Sequence, residues 1–191
     1  MVMPQSGEFL HEEKNKHLKR LKGGSVLLSR EALQDPNFAQ TVVLICAHNG
    51  EGAFGLVLNR PSHMPLSEVF NIDLPNRQQR RKIYIGGPVQ QEALQVLQTS
   101  GESVGSAHEI ADGIHFGGEW HSLEQILNAD ESSTRLFLGY SGWAGGQLEN
   151  EILQNAWDVY NVDLRALFDN AEHNLFGDVD QIRNYLVSLS V

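Results

Sequence analysis

The sequence predicts a single α+β domain whose sheet is largely antiparallel or mixed, with helices packed around it. Three observations predict it. Residues 41–47 and 53–58 are apolar, β-rich runs without polar alternation, the pattern of strands covered on both faces. Between them lies His48-Asn49-Gly50-Glu51-Gly52, and Asn-Gly is a strong hairpin signal, so the two runs should pair antiparallel rather than join a purely parallel sheet. Capped helical patterns then alternate with further short strands, and 191 residues is the length of about one domain.

Residues 1–22 are polar and charged, with Phe9, Leu10, Leu18 and Leu21 at spacings that allow a weak helical stripe; a flexible or weakly helical arm is expected there. Gly23-Gly24 punctuates the chain, the domain proper spans 23–191, and residues 25–29 form its first strand. With Asn49 and Gly50 as the central turn residues, His48 should face Glu51, Cys46 should face Ala53 and Leu44 should face Gly55. Further strands are expected at 82–85, 94–98, 114–116 and 136–140. Ser122 with Gln125 makes a capping box for a helix to about Asn128, and 147–155 reads as another helix. Asp163 caps a short helix. Asp178 with Gln181 starts a C-terminal one that carries Ile182, Tyr185, Leu186 and Leu189 on one face.

Composition narrows the function classes. Hydrophobic residues are 41% and charged residues 20%, an ordinary globular balance. The longest apolar run, 42–47, falls far short of the roughly 18 residues of a membrane helix. No apolar leader stands at the N-terminus, so a cytoplasmic protein without membrane contact is expected. The one cysteine, Cys46, excludes an internal disulfide and any four-cysteine metal site. Net charge is −10, and it is split: residues 1–82 hold 11 basic and 8 acidic groups, residues 83–191 hold 3 and 16. An acidic whole opposes direct DNA binding, which depends on Lys and Arg neutralising phosphates. The two basic patches, Lys14 to Lys22 and Arg77, Arg80, Arg81 and Lys82, read as solvated faces.

Several segments have the residue types of a binding site. Gly139-Tyr140-Ser141-Gly142-Trp143-Ala144-Gly145-Gly146-Gln147-Leu148-Glu149 follows a strand and precedes a helix, so it is either a tightly packed turn or a ligand loop of backbone N–H groups. It has neither a Gly-Lys-Ser/Thr ending nor a dinucleotide fingerprint, and Glu149 and Glu151 would repel phosphate. Gly86-Gly87-Pro88-Val89 is a second glycine bend, with Arg81 and Lys82 just before it. Asn59-Arg60-Pro61 ends a central strand, and Arg60 suits either a bidentate anion contact or a structural pair. Cys46 and His48, two apart on a strand, should share a face; Cys46 reads either as a buried cysteine filling the strand core or, with Glu51 across the turn, as part of a thiol, imidazole and carboxylate set. His115, Glu119 and His121 fit no familiar metal spacing, and no metal or cofactor is expected. Ser141 lacks a nucleophile elbow.

Gly24-Ser25-Val26-Leu27-Leu28, Asp35-Pro36-Asn37-Phe38, residues 41–48 and 52–61, Gly86-Gly87-Pro88-Val89, and 139–151 with Trp157 together resemble the AlgH/YqgE family of small bacterial proteins. The resemblance covers about residues 23–160; the N-terminal arm and the region 108–121 depart from the pattern. It implies a single α+β domain on a largely antiparallel sheet. The family name comes from a proposed role in transcriptional control of alginate production, and no established reaction or ligand accompanies it. Without a helix-turn-helix signal, such a role implies an indirect route through a protein partner or a small signal. The favoured reading is therefore a non-catalytic binding or regulatory module for a small anionic ligand or a protein partner. Asn59, Arg60, Gly86, Gly87, Gly142, Trp143 and Gln147 are its expected contacts. The alternative is an enzyme acting on a phosphorylated or nucleotide-like small substrate, with Cys46, His48 and Glu51 as catalytic candidates.

Overall fold

The computed structural model describes residues 6–70, 75–99, 105–118, 123–128 and 133–191. Its runs of branched and aromatic residues become β1 (Val26–Ser29), β2 (Val42–Asn49), β3 (Gly52–Val57), β4 (Ile83–Ile85), β5 (Val89–Gln98), β6 (Ala107–Ala111), β7 (Ile114–Gly117), β8 (Thr134–Ala144) and β9 (Trp157–Tyr160). They form one open sheet in the order β6-β7-β5-β8-β3-β2-β1-β9, with β4 joined to β8 off this path. Neighbours are antiparallel except β4 with β8, which run parallel. The helices are α1 (Ser6–Arg20), α2 (Leu66–Phe70), α3 (Asn76–Gln79), α4 (Leu123–Asn128), α5 (Gln147–Leu153), α6 (Leu164–Asp169), α7 (Ala171–Asn174) and α8 (Val179–Ser188). This is the expected α+β class.

The absence of polar alternation in β2 has a direct cause: both faces of the sheet are covered. Val42 and Leu44 point into an inner core against Leu167, Ile182 and Leu186 of the C-terminal helices. Val43 and Ile45 point the other way, against Leu148 and Ile152 of α5 with Trp143 and Trp157. Each such aliphatic side chain stabilises the fold by about 1.5–3 kcal/mol on full burial. A third cluster fills the far end, where Leu66, Ile83, Leu127 and Leu136 meet. The capping box at Asp178 and Gln181 opens α8 as expected, and Ile182 and Leu186 are its buried face. Asp163 accepts the Ala166 N–H at the start of α6. The expected cap at Ser122 lies outside the described residues. In the N-terminal arm, α1 lies on α5 and β9, and the Val159 N–H donates to His17 Nδ1 at 2.9 Å, capping the edge strand.

Two expectations about local structure are corrected. The β2–β3 hairpin turns one residue later than Asn49-Gly50: Asn49 pairs with Gly52, and His48 with Ala53. Asn49 places its side-chain oxygen on the Glu51 N–H at 2.8 Å, so it closes the turn from its first corner rather than sitting at the centre. The register also shifts between Ile45 and Ala47, so Leu44 faces Leu56 rather than Gly55, and Cys46 has no partner in the ladder. The second correction concerns the glycine-rich segment. It is not a loop, because β8 continues through Ser141 and Trp143 to Ala144, where it pairs with β3. Gly139, at φ +67°, is the joint at which β8 passes from one half of the sheet to the other. The sequence reading also missed β6 and β9 and started β5 late.

Candidate functional site

The residues singled out from sequence fall into three places, and most are bound within the chain. Asn59 accepts the Val42 N–H at 2.9 Å and donates to the Gln40 carbonyl at 3.0 Å. Arg60 donates to the carbonyls of Asn37, Pro36 and Ala39. Together they clamp the 36–40 loop, which carries Phe38 onto the ring of Trp143 (5.9 Å, stacked) and the edge of Trp157 (5.6 Å). Both indoles donate to one oxygen of Glu151, at 2.9 and 2.8 Å, and Gln147 donates to the other at 3.2 Å. Asn59 and Arg60 thus hold the loop that carries Phe38, and Trp143 and Gln147 meet at Glu151.

Gly86 and Gly87 stand against the β8 joint. A Cβ on Gly86 would lie 2.4 Å from the Gly139 carbonyl oxygen, so close backbone approach requires glycine there. Ser141 is fully buried and donates to the Gly86 carbonyl, and Gly142 lies against the Tyr140 ring. The bulge parts Cys46 from His48. Cys46, half-buried, packs against the inner core, and burial of its thiol raises its pKa. His48, opposite Ala53, emerges on the other face and donates to Glu149 at 2.6 Å. Glu51 sits exposed in the hairpin turn. Burial opposes ionisation of Glu149, yet the hydrogen bond from His48, a backbone hydrogen bond and the His48 charge prevail and lower its pKa. No group of three or more His, Cys, Asp or Glu among the described residues is placed to hold a metal; Glu119 and His121 lie outside them. No described helix is long and apolar enough to cross a membrane.

A cleft of about 320 Å³ opens elsewhere, between the starts of β4 and β8 and the α6–α7 corner. Its origin is the parallel pair. Ile83 pairs with Leu136, which sets Lys82 and Arg135 side by side at one end of the two strands. Adjacent cations repel, and the chain offsets this with Glu172 of α7. Lys82 donates to Glu172 Oε2 at 2.6 Å, while the Tyr84 hydroxyl and Arg135 (3.4 Å) donate to Oε1. Partial burial works against the charged form of Glu172, but the hydrogen bonds from Lys82 and Tyr84 and the two cations outweigh it and lower its pKa. Arg135 also lies over the rings of Phe168 (5.3 Å) and Tyr84 (6.0 Å). Arg81 lines the floor, buried, donating to Leu127 and Thr134. Sequence reasoning reached Arg81 and Lys82 but not Tyr84, Arg135, Phe168 or Glu172. One signal was available: Arg135 is one of only three cations in the strongly acidic 83–191 half.

A doubly covered, mainly antiparallel sheet with a joint at Gly139 and a polar cleft at its β4–β8 corner defines a class of small single-domain α+β proteins. The chain belongs to the AlgH-like family, whose model matches residues 26–183. It is 39% identical over 155 residues to a UPF0301 protein of Chlorobaculum tepidum, spanning 78% of this chain and 79% of that one. With a UPF0301 protein of Cytophaga hutchinsonii it shares 31% identity over 178 residues, 86% and 96% of the two chains. The solution structure of the AlgH protein from Pseudomonas aeruginosa matches at 32% identity with a TM-score of 0.71, covering 99% of this chain and 92% of that one. A crystal structure from Corynebacterium diphtheriae matches at 26% identity and TM-score 0.59, covering 73% and 75%.

Proposed function

We propose that the chain is a non-catalytic binding module that takes a small anionic ligand in the β4–β8 cleft, and that any regulatory role runs through that binding. The observation that carries this reading is the convergence of Lys82, Tyr84 and Arg135 on one carboxylate at the mouth of a cavity. The volume lies at the small end of ligand sites, which start at about 300 Å³. An enzyme built on Cys46 and His48 needs them together, and the bulge sets them on opposite faces, neither of them lining the cleft. That separation supports binding over catalysis.

The test is a thermal-shift screen against inorganic phosphate, sugar phosphates, nucleotides and simple carboxylates. A ligand at 100 times its dissociation constant stabilises by about 2.7 kcal/mol. For a chain of this size that raises the melting temperature by roughly 5–11 °C. The expected hit disappears in Arg135→Ala and persists in Arg60→Ala. A screen with no hit for the wild type or for Glu172→Ala, which frees the donors, or a hit indifferent to Arg135, overturns the reading and moves attention to protein partners.

A further inference from the structure

We propose that Glu172 is a tethered occupant of the cleft, standing where the carboxylate of a free ligand binds, and that this ligand is a monocarboxylate on an aromatic or apolar body. The inference rests on the cleft being a ligand site and adds what it binds and how it is guarded.

Three features lead to it. The first is the donor pattern: each oxygen of the Glu172 carboxylate has its own donors, Lys82 on one and Tyr84 with Arg135 on the other, as a two-oxygen ligand requires. The second is charge. Asp169 also lines the cleft, so one incoming negative charge replaces Glu172 one for one, whereas a dianion meets Asp169. The third is the wall. Phe168 and Tyr84 lie beneath the Arg135 guanidinium, and Phe176, 40% exposed, lies 6.1 Å from the Tyr84 ring. An aromatic or apolar body has surface to cover there.

The occupant is also easy to displace. Its side chain is 40% exposed and that of Lys82 68%, so that pair holds weakly, while Arg135, 12% exposed, and the buried Tyr84 stay in place as donors for whatever carboxylate stands there. The one-turn α7 is anchored by the buried Ala171 and, just beyond it, Leu175. Glu172 therefore leaves by rotating its side chain, without unseating the backbone.

Isothermal titration of the full chain with sodium benzoate and with inorganic phosphate tests this on the wild type, Glu172→Ala, Glu172→Gln and Glu172→Ala/Arg135→Ala. Benzoate should bind Glu172→Ala at least tenfold more tightly than wild type, a difference of about 1.4 kcal/mol. Glu172→Gln, which keeps the shape and so serves if the alanine variant folds poorly, should fall between them. Adding Arg135→Ala should erase the gain, and phosphate should gain less than benzoate. Equal benzoate affinity in wild type and both single variants overturns the occupant and leaves the cleft as a site. Phosphate preferred over benzoate in Glu172→Ala overturns the ligand class. No saturable binding of either probe to any form overturns the inference and the cleft together.

Discussion

Replacing Glu151 with alanine should damage this protein more than its half-buried position suggests. One of its oxygens accepts the indole N–H groups of both Trp143 and Trp157, which are 6% and 1% exposed. The substitution leaves two buried donors without their acceptor, and each such donor costs about 1–3 kcal/mol. Near the middle of that range the loss is about 4 kcal/mol, a fall in melting temperature of roughly 8–16 °C for a chain of this length. Glu151→Gln keeps an amide oxygen for the indoles and should lose only about 1–2 kcal/mol. Urea unfolding followed by tryptophan emission measures both, because two of the three tryptophans report from this site. A loss below about 1 kcal/mol for Glu151→Ala, or equal losses for the two variants, would refute the acceptor argument.

Arg60→Ala removes three hydrogen bonds to the 36–40 loop and should lower stability by about 1–2 kcal/mol, seen as a few degrees in melting temperature, without altering any response to a cleft ligand. Cys46, with its thiol pushed up by burial, should resist alkylation by iodoacetamide at pH 8 in the folded chain and react at the rate of a free thiol in urea; comparable rates in both would contradict its packing. The folded Glu149 carboxyl titrates below its ordinary value of 4.5, burial opposing and His48 prevailing. Its contribution is therefore present above the unfolded pKa and disappears as pH falls through the folded one. Urea midpoints should drop as pH falls below the ordinary value of 4.5, and Glu149→Gln should flatten that drop.

Local signals were legible where one stretch of chain decides the outcome. The Asp178 and Gln181 cap, and the unbroken apolar runs of β2 and β3, each depend on neighbours a few residues away. Glycine misled. At 139, 86 and 87 it marks backbones pressed together across the β8 joint, where sequence alone offered a packed turn or a ligand loop but not a continuing strand. The strand β9 escaped because its four residues, all buried, show no alternation and are too few to stand out. A one-residue slip at Asn49 and the bulge at Cys46 were enough to dissolve the supposed thiol, imidazole and carboxylate set, since each step in register turns a side chain to the opposite face. Of the residues grouped from sequence, Asn59 and Arg60 hold the Phe38 loop and Trp143 and Gln147 meet at Glu151, while Gly86 and Gly87 lie apart at the β8 joint. Of the cleft, only Arg81 and Lys82 were reached from local pattern. It is assembled by a parallel pairing between distant strands and closed by a one-turn helix near the C-terminus.

The most direct measurement is a nitrogen–proton correlation spectrum of the labelled chain recorded during a benzoate titration of the Glu172→Ala form. Progressive shifts should concentrate at Lys82 to Tyr84, Thr134 to Arg135 and Phe168 to Glu172→Ala, the strands and corner that frame the cleft. Shifts centred instead on the 36–40 loop, Trp143 and Gln147, or an unchanged spectrum at saturating benzoate, would contradict the assignment of the β4–β8 cleft as the binding site.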